Sequence, residues 1–262
     1  MTALLLLLLD SRAPAGAHSH SGGMEAAVMT GQVTGLAEVE EFCRGRLRTS
    51  GRVAASFAAA ACLAWRRGAG AGEWAALDAE FGARTPSEAS RAASRQLGSG
   101  LRRLLRSMCG DADLATPWAD CPPPAPHHPL VLGAGIALAA GAGRSAGRPA
   151  GRPAALAAGA PELAARAAAL ATCTSPASAA VRLLGLDPFA VQAMLARLAP
   201  EIDALAAECH AVATAGAVAT AGAVGAVAGA GGEFPGLPAN GAPALELLAD
   251  FHLTAEVRLF AS

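Results

Sequence analysis

The sequence predicts an all-α protein, a single domain over residues 1–262 built as a bundle of about eight to ten helices. Three observations carry that prediction. Alanine dominates the 262 residues, and aromatics make up only 4%. Alanine is the strongest intrinsic helix former, whereas the aromatic and β-branched residues that favour strands are few. Apolar positions recur at three- and four-residue steps, and no stretch alternates apolar with polar at period two.

The elements follow in chain order. The Leu4–Leu9 run, followed by Asp10 and Arg12, reads as a buried first segment. It lacks the basic start and the length of a signal peptide. A helix starts at Ser21-Gly22-Gly23-Met24-Glu25, with Ser21 as its cap. Thr34 to Arg48 reads as an amphipathic helix capped by Thr34. Its acids lie early and Arg44, Arg46 and Arg48 lie late, as the helix dipole prefers. Ser50 to Arg67 is a second helix closed by Gly68, and Glu73 to Phe81 a third. Pro86 opens a long helix to about Met108, with Ala93, Leu97, Leu101, Leu104 and Leu105 on one face. Cys109 to Pro126 is a loop, because Cys121-Pro122-Pro123-Pro124 cannot be helix interior.

A short apolar helix spans His128 to Gly141. Three near-copies of one Gly-Arg tetrapeptide then mark a solvated insert over 143–154. Helices follow at Ala154–Cys173 and Ser175–Leu186. Asp187-Pro188 is a strong start signal, a capping carboxylate before proline at the first helical position. Val191, Leu195, Leu198, Ile202 and Leu205 form the next apolar stripe, with Pro200 expected to kink or restart it. An Ala-rich helix then fades into a flexible insert over 213–240. A last helix, about Pro243 to Phe251, leads into a tail, 252–262.

Composition excludes several function classes. With 20 basic residues, all arginine, against 21 acidic ones, the net charge of −1 gives no basic footprint for nucleic acid. The 6 cysteines contain no C-x-x-C pair, so they read as small buried hydrophobes rather than a zinc ribbon or redox motif. The mean hydropathy of +0.38 raises a membrane alternative. His210 to Gly232 is uncharged, but it is poor in the large apolar side chains that drive insertion. A helix of a non-membrane protein is the preferred reading. No G-x-S-x-G, phosphate loop, dinucleotide fingerprint or H-E-x-x-H is present, so no catalytic residue is assigned. His18 with His20, His127 with His128, and Cys209 with His210 are isolated pairs, short of the three or four ligands a metal needs. No metal residue is assigned, and direct metal binding stays as an alternative.

What stands out is a set of polar, glycine-bearing strings set in this apolar background. Pro14, Gly16, His20, Ser21, Gly23, Met24 and Glu25 form the first. Arg84 and Pro86, then Ala93-Ser94-Arg95-Gln96-Leu97-Gly98, form the second. The others are His128-Pro129-Leu130-Val131-Leu132-Gly133, Ala180-Val181-Arg182-Leu183-Leu184-Gly185-Leu186, and the ending Arg258-Leu259-Phe260-Ala261-Ser262. In this order the strings resemble the UreF family of urease accessory proteins across nearly the whole chain. His18 stands where that family usually has an aromatic, and Asp187-Pro188 replaces its usual Gly-Gln.

The resemblance implies an all-α, non-enzymatic, cytoplasmic protein of urease maturation. It implies a homodimer that binds the accessory protein UreD (also called UreH), recruits the GTPase UreG and docks on apo-urease. No cofactor is expected to bind stably, nickel is cargo handled by the complex, and neither nucleic acid nor membrane is a partner. The residues it points to for partner binding are His20, Ser21, Glu25, Arg95, Gln96, Arg182, Arg258, Leu259 and Phe260.

Overall fold

A computed structural model of the chain describes residues 2–10, 20–109, 126–141, 154–222 and 236–254. Among the described residues there are helices and no strand. The order is α1 (Thr2–Leu9), α2 (Met24–Met29), α3 (Leu36–Arg46), α4 (Arg52–Arg67), α5 (Ala71–Ala83) and α6 (Glu88–Cys109). It continues with α7 (His128–Ala140), α8 (Ala154–Leu184), α9 (Pro188–Gly222) and α10 (Pro243–Thr254). The all-α prediction therefore holds.

Two helices form the centre. Every residue of α7 from Pro129 to Ala140 is buried. Most of α4 is buried too, including Phe57, Ala58, Ala61 and Cys62. The two cross where Gly133 lies against the carbonyl oxygen of Ala58, so close that a β-carbon would overlap it. Small residues at a crossing let helix axes approach, which is where the glycine-alanine background contributes to packing. Around this pair, α6 adds Leu101 and Leu105, α8 adds a stripe of buried alanines, and α9 adds Met194, Leu198 and Ile202. Ion pairs tie α3 to α9 at its rim: Arg44 to Glu201 at 2.9 Å and Arg197 to Glu40 at 2.6 Å. Partly exposed pairs of this kind each contribute little beyond orientation.

The local start and stop signals are realised where their partners are local. Asp187 accepts the Phe189 backbone N–H at 3.0 Å, as a capping carboxylate should. Gly68 and Gly141 close α4 and α7 at φ 72° and 85°, a region only glycine enters freely.

Other expectations are corrected. Ser21 and Thr34 are not side-chain caps; Gly23 and Gly35 hold those positions, with no side-chain cap bond. The predicted break near Ser50 is absent, because a π-turn over Leu47–Gly51 joins α3 to α4 without interruption. The predicted break at Cys173–Ser175 is absent as well, and α8 runs through Pro161 and Pro176. Pro200 does not restart α9. Ala196 and Pro200 lie on the exposed face, where water can take the lost backbone bond. The first segment is only half buried. Leu5 and Leu8 pack inward, while Leu6 at 66% and Leu7 at 59% are exposed, since a helix of uniform leucine has no face to choose. The first part of the 213–240 insert is helix up to Gly222, with Ala213 buried. Residues 142–153 and 223–235 of the two inserts lie outside the described residues.

Pro176 has a specific remedy. It cannot donate to the Thr172 carbonyl four residues back. Arg46 of α3 donates to that carbonyl through Nε at 3.2 Å. The next carbonyl, Cys173, accepts the Cys43 thiol at 3.6 Å. Side chains of α3 thus satisfy the backbone that the proline disturbs, and the helix continues.

Membrane crossing is weakly indicated. Among the described residues, the candidate by length and composition is the stretch Ala155–Leu184 in α8; residues 223–232 of the Ala-Gly tract lie outside them. Ala164, Ala165, Ala168, Ala169, Cys173 and Ala177 of that helix are buried, in a helix packed against α4, α7 and α9.

Candidate functional site

The described part of the first polar string, His20 to Glu25, comes together with the second and third strings around the N-terminus of α7, where His20 neighbours His128. Ser21 to Met24 forms a tight turn, closed by the Met24 N–H donating to the Ser21 carbonyl at 3.2 Å. Its central residues Gly22 and Gly23 have φ 61° and 88°, the type I′ pattern that selects glycine at both places. Arg46 Nη1 donates to the Gly22 carbonyl at 2.7 Å, so the same guanidinium holds this turn and α8. His20, Ser21 and Glu25 are all buried, at 7%, 0% and 3% exposure. In the isolated chain they shape the segment from inside rather than present it.

The second string prepares α7. Ser94 Oγ accepts the His128 N–H at 3.2 Å, and Asp78 of α5 accepts the His127 N–H at 2.9 Å. These two acceptors satisfy N–H groups that a helix start leaves unpaired. Arg95 holds Asp78 in place at 2.9 Å. Gly98 lies against the Pro126 carbonyl, where any β-carbon would overlap it. Arg95 is therefore half-buried and structurally engaged, while Gln96 beside it is exposed. Arg182 is exposed near the C-terminal end of α8, about 15 Å along the helix from Thr172 at 1.5 Å per residue. Arg258, Leu259 and Phe260 lie outside the described residues.

The histidines here are held neutral. Burial pushes His20 down, and it pushes His128 to about 4 with the nearby His20 adding to the effect. His127 falls to about 4 by burial, with Asp78 opposing and Arg95 and Arg91 reinforcing. Its ring packs on Phe81 at 4.8 Å, and among the described residues neither ring nitrogen has a hydrogen-bond partner. A histidine whose folded pKa lies below its unfolded value takes up protons more readily when unfolded. Stability is then present above pH 6.5 and lost as pH falls toward 4, by about 1.4 kcal/mol per pH unit for each imidazole. Urea midpoints measured from about pH 7 down to pH 5 should fall accordingly, and His127→Leu should flatten the slope. An unchanged slope would contradict a buried neutral His127.

The C-terminal helix closes the cluster on one side. Asp250 accepts the Ser87 hydroxyl at 2.6 Å, and Glu246 accepts the Ser87 N–H at 2.9 Å. Ser87 in turn accepts the Ser90 N–H at 3.1 Å as the cap of α6. Two carboxylates of α10 thus sit on the positive end of α6, which favours them. On its other side α10 packs against α2, and Leu247 and Phe251 remain exposed. The tail with Arg258, Leu259 and Phe260 follows α10 in sequence. The pair Glu246→Gln, Asp250→Asn should weaken the docking of α10 by roughly 1–2 kcal/mol. Amide exchange in α10 should then accelerate while α4 and α7 stay protected; equal acceleration everywhere would show that these contacts do not set its position.

Sequence reading missed Arg46 as a bridge, Asp78 as the α7 cap, and Glu246 and Asp250 as the anchor of α10. Their partners lie 24 to 163 residues away, and no local pattern marks them. It also missed Phe189, 85% exposed at the start of α9. Among the described residues, no three His, Cys, Asp or Glu side chains are grouped to hold a metal. The arrangement offers surfaces and a docked terminal helix.

Comparison with known proteins gives consistent matches. The sequence model of the UreF family matches residues 33–147 and 150–199. The urease accessory protein UreF of Mycolicibacterium vanbaalenii is 44% identical over 209 residues, 79% of this chain and 84% of the relative. That of Mycobacterium marinum is 41% identical over 206 residues, 79% and 84%. That of Mycobacterium tuberculosis is 42% identical over 211 residues, 80% and 85%.

Proposed function

Because this chain belongs to the UreF family of urease accessory proteins, we propose that it serves as a non-enzymatic scaffold for nickel insertion into urease. In this reading it pairs with a UreD/UreH-type accessory protein, and the pair recruits the GTPase UreG to apo-urease. It acts as a homodimer in the cytoplasm, and nickel passes through the complex as cargo. The observation that carries the reading is that α10 packs against both α2, which the His20–Glu25 turn opens, and α6, which carries the Ser94–Gly98 string. The Arg258-Leu259-Phe260 tail follows α10 in sequence. Partners would be gripped by the exposed faces of α10 and by the tail, with the buried His20, Ser21 and Glu25 fixing the shape beneath them.

Co-purification tests it. The full chain should retain the UreD/UreH-type partner and, with it, the GTPase. A chain ending at Val257 should keep its fold and lose most GTPase recruitment. Undiminished recruitment by the truncated chain would remove the tail's role, and failure of the full chain to retain either protein would overturn the scaffold reading. Direct nickel binding is the second reading, favoured by the neighbouring His20 and His128. Equilibrium dialysis of the isolated chain against micromolar nickel decides it, and no uptake would end it.

A further inference from the structure

We propose that Cys43 of α3 and Cys173 of α8 form a latent disulfide site, a dithiol that a small peroxide oxidises to a bond joining the two helices. The Cys43 thiol donates to the Cys173 carbonyl at 3.6 Å, and the Cys173 thiol donates to the Cys43 carbonyl at 3.8 Å. This reciprocal pattern requires the two residues to face each other at one height of the helix crossing. Both are fully buried and both are free thiols. The two sulfurs are also within hydrogen-bonding reach of each other, which lowers Cys173 and raises Cys43, with the Arg46 guanidinium favouring either anion. The two thiols shift in opposite directions, as expected of two groups sharing one site.

The chemistry balances with hydrogen peroxide as the named oxidant. The Cys173 thiolate attacks one peroxide oxygen, the O–O bond breaks, and a sulfenic acid forms with hydroxide leaving, which takes a proton to become water. The Cys43 sulfur then attacks the sulfenyl sulfur, the S–O bond breaks, and a second water leaves. Two thiols are oxidised by two electrons and the peroxide is reduced. The bond would lie beside the Pro176 turn, next to the Thr172 carbonyl that Arg46 links to Gly22. Burial makes the reaction slow, and the partly exposed Cys109 provides an internal reference for oxidant delivery.

The test uses the reduced full chain. It is treated with hydrogen peroxide, denatured, alkylated and digested, and the peptides are mapped without reduction. The expected result is a Cys43 peptide linked to a Cys173 peptide and released by dithiothreitol. A sulfenic-acid trap should label Cys173 at least about tenfold more in Cys43→Ser than in the unmodified chain, because the resolving thiol is gone. The proposal is overturned if Cys43 and Cys173 are both still recovered alkylated after treatment prolonged well beyond full oxidation of Cys109. It is equally overturned if either links to another cysteine, or if the trap labels Cys173 to the same extent in both chains.

Discussion

Gly133→Ala should lower the unfolding free energy by about 3 kcal/mol, although alanine is the better helix former by about 1 kcal/mol. The new β-carbon would overlap the Ala58 carbonyl oxygen, a backbone atom that no rotamer change can move. Relief requires α4 and α7 to separate, and these are the two central helices of the bundle. Separation would open gaps along Leu130, Ile136 and Phe57, all fully buried. Gly45→Ala in α3 is the matched control. A β-carbon there meets nothing within 4 Å, so only the propensity gain remains and stability should rise by up to about 1 kcal/mol. Urea unfolding of the two variants should therefore move in opposite directions from the parent. A Gly133→Ala midpoint at or above the parent's would mean that the close crossing of α4 and α7 does not exist in solution.

The same contrast explains what could be read from the sequence. Gly68, Asp187 and the stripe from Val191 to Leu205 work through neighbours within one or two turns, and each is visible in the order of residues. Gly45 and Gly133 look alike in that order, both glycines inside helices. Only the tertiary approach of Ala58 separates them. The Ser94–Gly98 string was conspicuous, but its task was not. Ser94 and Gly98 serve the chain entry to α7 and Arg95 serves Asp78, so these residues have work within the fold, while Gln96 among them is exposed. His20, Ser21 and Glu25 are similar: conspicuous polar residues that the fold buries. The helix breaks misjudged near Ser50 and Ser175 share one cause. Low helix propensity at Thr49-Ser50-Gly51 and at Ser175-Pro176 was outweighed by packing from segments more than a hundred residues away.

Arg46→Ala should cost about 3 kcal/mol and loosen the His20–Glu25 turn before the core opens. Arg46 makes two charge-assisted bonds to backbone carbonyls, to Thr172 at 3.2 Å and to Gly22 at 2.7 Å. Each such bond contributes about 1.5–3 kcal/mol, and its loss leaves a sheltered carbonyl unpaired. Arg46→Lys should recover little, because a single ammonium on a flexible stem cannot reproduce the planar fork that spans both oxygens. The cause is separable by a double-mutant cycle with Pro176. In Pro176→Ala the new backbone N–H can bond the Thr172 carbonyl, so that oxygen no longer depends on Arg46. Arg46→Ala should then cost about 1–2 kcal/mol less in the Pro176→Ala background than in the parent. Additive effects would show that Arg46 acts only through Gly22. If the cycle couples as expected, the proline in α8 and the arginine in α3 act as one unit, which holds the Ser21–Met24 turn against the bundle.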